Sequence, residues 1–325
     1  MDRRRFVSAI AVSLLGVPTS AFPQQPATVH RIGFLGSESA SKQATRLEAF
    51  RVALRELGYV EGKNIVIEFR WAEGNYDRLP ALAAELVELK VAVVVTPGGK
   101  ANIAMARVTK TIPIVVVRAS QPVGQQGVIS NLARPGGNIT GFTAFGSELT
   151  AKRLELLREA VPRITSVAFL VNPADPPSYR GTMELAAKAL KLELQQYEAR
   201  GPGEFDSTIA GMVQRRADAI VVQGDTMFTV NAKVVADLAM KYRLPSVGIP
   251  EYAEAGGMIG IGANMIEGYR RAAVYVDKIL KGANPGDLPI EGATNFRLVI
   301  NQKTAKALGL AIPQSLLLRA DEVIQ

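Results

Sequence analysis

The sequence predicts an α/β protein of two doubly wound lobes, and three observations lead there. The first is duplication. His30–Gly36 has a counterpart in Thr165–Val171, Val91–Val95 in Asp218–Val222, and Thr111–Val115 in Arg243–Val247, each at nearly the same separation. The second is the character of these runs: near-continuous Val, Ile and Leu, as a parallel sheet covered on both faces requires. The third is the alternation of such runs with segments whose apolar residues recur at helical spacing, the signature of crossover connections. Two similar lobes imply a cleft between them, a natural enclosure for a small molecule.

Taken in order, Arg31–Leu35 is the first strand. Leu47, Phe50, Leu54 and Leu57 follow at helical spacing, and Gly58 closes that helix. Ile65–Arg70 is a strand, and Leu79, Leu82, Ala83, Leu86 and Leu89 mark the next helix. Val91–Val95, a helix over 100–108 and Ile114–Val117 complete the first lobe's core. Arg134–Asn138 is a turn, Ile139–Phe142 a short strand leading across, and residues 150–160 a helix ending before Pro162. The second lobe alternates strand and helix through 167–171, 179–190, 193–197, 204–215, 219–223, 229–242 and 246–249. A short strand at 258–261 precedes a helix at 266–281, whose Tyr269, Ala273, Val276 and Leu280 share a face turned back to the first lobe. A strand at 296–300 and a helix at 302–308 finish the chain.

Met1–Phe6 is a basic head, Phe6–Val17 a short apolar stretch, and small residues end at Ala21. Residues 1–21 therefore read as a secretory signal peptide and 22–29 as a flexible leader. Arg3-Arg4-Arg5-Phe6-Val7 resembles a twin-arginine export signal, although Asp2 stands where Ser or Thr is usual; an ordinary secretory signal is the other reading. Both lead to the periplasm. The chain has no cysteine, hence no disulfide, thiolate chemistry or cysteine-borne lipid. Its +8 formal charge is scattered and aromatics make up 6%, without the clustered stripe that binds nucleic acid.

Enzyme motifs are missing. Gly33 and Gly36 do not complete a dinucleotide fingerprint, Gly98-Gly99-Lys100 is not a phosphate loop, and no nucleophile elbow occurs. The single histidine, His30, precedes the first strand, which removes a usual triad and a His/Cys metal site; neither cofactor nor metal is expected.

Ligands of parallel sheets bind beyond the carboxyl ends of the strands, and six loops lie there. Their candidate residues are Gly36, Ser37 and Glu38; Thr96, Pro97 and Gly98; Arg118, Ser120 and Gln121; Asn172, Asp175 and the following Tyr179; Asp225 and Thr226; Glu251 and Tyr252. Several precede a helix N-terminus, where backbone N–H groups favour a carboxylate. Each loop also admits a plainer reading as caps and turns. Arg118, ending a buried Val run, is the sharpest candidate, able to pair bidentately with a carboxylate; a rim salt bridge is its alternative. Tyr179 and Tyr252 offer rings for stacking, or simply pack.

Three stretches carry a family resemblance: Asn131–Gly141, Tyr275–Ala283 and the tail from Val299 to Gln325. With them the chain resembles, over about residues 30–325, the exported substrate-binding proteins of ABC transporters, in the family whose better-known members bind tryptophan or other aromatic compounds. The resemblance implies a type I periplasmic-binding-protein fold, two lobes joined by three crossing segments. The lobes would comprise residues 30–143 plus about 264–290, and 144–263 plus about 291–325. It further implies a monomeric solute-binding component of an importer, not an enzyme, whose partners are a small-molecule ligand and a permease and ATPase in the inner membrane. Hinge rotation would fall near Phe142–Ala144, Gly248–Pro250 and Gly262–Asn264. Relatives usually carry Asp-Pro-Val-Gly where this chain has Gln121-Pro122-Val123-Gly124. That departure favours an aromatic or other small carboxylate over a tryptophan-like amino acid, although Glu38, Asp225 or Glu251 offers a substitute carboxylate. An exported ligand sensor acting on a membrane receptor is the alternative function; an exported enzyme ranks below it.

Overall fold

The computed structural model describes residues 29–119, 131–144, 146–173 and 178–325. The signal-peptide reading, and all of the leader but Val29, lie outside these residues.

The first lobe opens with β1 (His30–Gly36), α1 (Ala44–Glu56), β2 (Ile65–Trp71), α2 (Leu79–Glu88), β3 (Val93–Thr96), α3 (Gly99–Val108), β4 (Ile114–Ala119) and β5 (Ile139–Thr143). The chain then crosses into α4 (Gly146–Ala160), β6 (Ser166–Val171), α5 (Ser178–Ala189), β7 (Glu193–Glu198), α6 (Pro202–Gln214) and β8 (Ala219–Val222). There follow α7 (Thr226–Val230), α8 (Ala232–Lys241), β9 (Ser246–Gly248), α9 (Pro250–Glu254) and β10 (Ile259–Ala263). It returns through α10 (Met265–Leu280) and β11 (Glu291–Gly292). A third crossing leads to β12 (Phe296–Asn301), α11 (Gln302–Ala307), α12 (Gln314–Leu317) and β13 (Glu322–Ile324).

The first sheet has the order β11-β5-β4-β3-β1-β2, and every neighbouring pair is parallel. The second has the order β13-β12-β10-β9-β8-β6-β7, parallel except where β12 runs against β10. The two-residue alternation of strand side chains explains how apolar runs serve two helical layers at once. In the first lobe Ile32, Phe34, Val93, Val95, Val115 and Val117 pack with α1 and α10, while Leu35, Val94, Ile114 and Val116 pack with α2 and α3. In the second, Val167, Phe169, Ala219 and Val221 pack with α4 and α5, and Ala168, Leu170, Ile220 and Val222 with α6 and α8.

Three expectations need correction. The helix expected over 229–242 is two helices: the Asp225 side chain accepts from Met227 N–H and starts α7 early, and at Asn231 the path breaks, its Nδ2 donating to the Met227 carbonyl. Gly248–Pro250 is not a hinge, because β9 lies between β8 and β10 inside the second sheet. The third crossing is instead 293–295, and since Glu291–Gly292 pairs with β5, the chain leaves the first lobe after residue 292 rather than about 290. One small apolar cluster ties the crossings together: Phe142 and Ala144 from the first, Ala263 from the second, Ala293 from the third. Ala293 N–H donates to the Thr143 carbonyl at 2.8 Å, and Asn264 N–H to the Asn295 carbonyl at 3.3 Å.

Candidate functional site

The loop after β3 and the end of β4 in the first lobe face the loops after β8 and β9 of the second. Because β4 is buried up to its last residues, Arg118 leaves it with its backbone held, the Asn102 side chain donating to its carbonyl at 3.0 Å. Its guanidinium crosses the cleft: Nη1 donates to the Gly224 carbonyl at 2.5 Å and Nη2 to Thr226 Oγ1 at 3.3 Å. Beside it Gly98 comes so close that a Cβ there would lie 3.0 Å from Thr226 Oγ1. A second crossing contact joins Arg46 of α1 to Glu251 of α9 at 2.7 Å.

These contacts surround a cavity of about 50 Å³ lined by Pro97, Arg118, Arg153, Thr226, Glu251 and Tyr269 among others. Organic ligands ordinarily occupy roughly 300–1,000 Å³, so admitting one requires the lobes to part. Arg153, on α4, is 3% exposed; its Nε and Nη2 donate to the Ile261 carbonyl at 3.2 and 3.1 Å, and its guanidinium lies under Gly224. Tyr269 is buried, donates to Gln43 Oε1 at 2.8 Å, and burial pushes its phenol pKa up, so the hydroxyl stays a donor.

The candidate residues separate into groups. Pro97, Arg118, Thr226 and Glu251 line the cavity, and Gly98 touches Thr226. Thr96 is fully buried behind them. Asn172 and Asp225 form a network inside the second lobe, with Asn172 Nδ2 donating to Asp225 Oδ1 at 3.0 Å while the same oxygen caps α7. Glu38 is 4% exposed; burial raises its pKa to about 7, with the Asp225 charge adding to the rise and Lys42 and Tyr76 opposing it. Ser37 is buried next to it, and Gly36 seats the Trp71 ring, where a Cβ would lie 2.1 Å from a ring carbon.

Tyr252 corrects the sequence reading. Pro250 starts α9 where a loop was expected, and this turns Tyr252 inward, 1% exposed, its ring lying on Gly248 and Gly257. It is a core residue. Ser120, Gln121 and Asp175 lie outside the described residues, as does the side chain of Tyr179.

Sequence reasoning missed Gln43, Arg46, Arg153, Thr229 and Met265 as lining residues, and saw Tyr269 only as packing. Arg153 carried a readable signal: it stands between Leu149 and Leu157 on the buried stripe of α4, where a cation needs a reason. Arg46 carried none, since its partner lies 205 residues away.

Comparison with known proteins agrees with this architecture. The family model for ABC transporter substrate binding proteins matches residues 38–324. A curated relative, "Tyrosine-binding protein" of Clostridioides difficile (strain R20291), is 25% identical over 268 residues, covering 81% of this chain and 76% of its own. A conserved domain protein from Vibrio cholerae O1 biovar El Tor superposes with a TM-score of 0.83 at 25% identity, covering 90% of this chain and 99% of that one. The ABC domain from Streptococcus pneumonia in complex with L-Trp also gives 0.83, at 24% identity and with 91% and 100% covered.

Proposed function

Because the chain belongs to the ABC transporter substrate-binding protein family, which binds solutes and performs no catalysis, we propose that it is the periplasmic solute-binding component of an importer. It captures a small organic carboxylate between its lobes and delivers it, as a monomer, to a permease and ATPase in the inner membrane. Residues 1–21 are its export signal.

The observation that carries this reading is Arg118. A guanidinium at the mouth of the cleft, bonded only to a neutral carbonyl and a hydroxyl among the described residues, can exchange them for a bidentate carboxylate. Pro97, Thr226 and Tyr269 then shape the rest of the site. Closure needs no reaction. A ligand touching both lobes binds the closed form more tightly than the open one, and that difference alone moves the hinge. An aromatic ligand is supported by the Tyr269 ring in the lining and by the tyrosine and L-Trp named for the two relatives.

An amino-acid ligand is the second reading, because Glu38 and Asp225 place two carboxylates at the lobe interface for an ammonium. Asp225 Oδ1 is already occupied by two donors, and burial holds Glu38 near half protonation at neutral pH, so the simple carboxylate is preferred.

Thermal melting against benzoate, phenylacetate, succinate, tyrosine and tryptophan tests both. A true ligand raises Tm progressively with its concentration, by mass action, and is recovered unchanged. Arg118→Ala should weaken its binding by about 10- to 100-fold, the worth of a lost charge-assisted pair. If no carboxylate shifts Tm, or Arg118→Ala binds as tightly as the parent, the reading fails.

A further inference from the structure

We infer that the Arg46–Glu251 ion pair, in the wall of the cleft cavity, is the latch of the clamshell, a contact that sets how much of the protein is closed before any ligand arrives. It goes beyond the proposed carboxylate site, though it rests on the same two-lobed hinge.

Four observations point there. The first is exclusivity. Among the described residues, every other ion pair joins two groups of the same lobe; Arg46–Glu251 alone joins the lobes. The second is rigidity on both sides. Arg46 projects from α1, which is fixed by buried Leu47, Phe50 and Leu54 against α10. Glu251 projects from α9, fixed by Tyr252 wedged between Gly248 and Gly257. A charged hydrogen bond between two rigid bodies is sensitive to their separation, whereas one between floppy side chains is not.

The third observation is position. Both residues line the 50 Å³ central cavity and also a neighbouring cavity of about 300 Å³, which reaches Asn264 and Met265 at the second crossing and Lys42 and Arg297 at its rim. The pair therefore stands in the wall the two spaces share. The fourth is intermediate burial, with side chains 17% and 29% exposed. Water is thinned enough to strengthen the attraction, while neither charge is stripped of it, so the desolvation cost that weakens fully buried pairs is avoided.

The contact across Arg118 is different in kind: it ends on a carbonyl and a hydroxyl, partners that a ligand can replace. Arg46 and Glu251 are instead each other's charged partners, one from each lobe.

The chain has no cysteine, so spin labels can be placed cleanly. Val66→Cys on β2 and Val234→Cys on α8, both exposed, give an inter-lobe distance readable by pulsed electron resonance on the mature, ligand-free protein. The parent should show a closed population. Glu251→Gln and Arg46→Gln should each lower the closed-to-open ratio by about three- to tenfold. The charge swap Arg46→Glu with Glu251→Arg should return it to within about twofold of the parent, and high salt should open the parent but not the Gln variants. The latch is overturned by a parent that is wholly open, by Gln variants with the parent's distribution, or by a swap that is folded yet fails to restore it. None of these outcomes involves a ligand, so the carboxylate proposal stands or falls separately.

Discussion

The two lobes repeat one fold but bring different side chains to the cleft. Equivalent loops meet there: Thr96-Pro97-Gly98 after β3 and Gln223-Gly224-Asp225 after β8. In the first lobe Gly98 precedes α3 with no side-chain cap, and its bare α-carbon lets Thr226 approach. In the second, Asp225 caps α7 and exposes the Gly224 carbonyl and Thr226 hydroxyl. The first lobe reaches across with Arg118 and Arg46 to oxygens of the second, those of Gly224, Thr226 and Glu251, while the second lobe's own cation in the lining, Arg153, is turned to the Ile261 carbonyl of its own lobe. Duplicated strands thus give matching scaffolds, while the loops diverge into complements.

The comparison is sharpened most by the glycines that seat large rings. A Cβ at Gly257 would lie 2.1 Å from the Tyr252 ring, and one at Gly36 2.1 Å from Trp71. Tyr252 is enclosed and cannot yield; Trp71, on the edge strand β2, is only partly buried. Gly257→Ala should therefore cost about 3 kcal/mol and Gly36→Ala about 1 kcal/mol in denaturant unfolding, and equal costs would show that the two lobes yield alike.

The buried carboxylates of the cleft differ next. Glu38 has a folded pKa of about 7, above its ordinary 4.5, so the folded state holds its proton more tightly. Its stabilisation is complete below pH 4.5 and is lost as pH rises through 7. Unfolding free energy should fall by about 2 kcal/mol between pH 5 and 8 on this account, and Glu38→Gln should flatten that fall. An unchanged slope in the variant would refute the assignment. Asp225 caps α7 and accepts from two donors: Asp225→Ala should cost about 1 kcal/mol, loosening α7 as seen by hydrogen exchange.

How much of this was legible depends on how local the cause is. Arg118 was visible because a cation closing a buried Val run is anomalous within six residues. Arg153 was visible in principle, as a break in the stripe Leu149–Leu157. Tyr252 could be read either as a stacking or as a packing ring, because whether Pro250 begins a helix depends on the space left by Gly248 and Gly257 around it. The hinge at 293–295 was missed because β11 is two residues long and gains its meaning only by pairing with β5.

Strand and helix periodicity, duplication, and the poverty of histidine and cysteine are properties of the string itself. They determined two α/β lobes. Which side chains meet across the cleft belongs to the tertiary structure alone. Arg46 finds Glu251 across 205 residues of chain, and Gly98 finds Thr226, because two independently packed sheets set their spacing. Short-range pattern encodes burial; it holds no record of the distance between two bodies that meet only through tertiary contacts and three crossings, among the described residues.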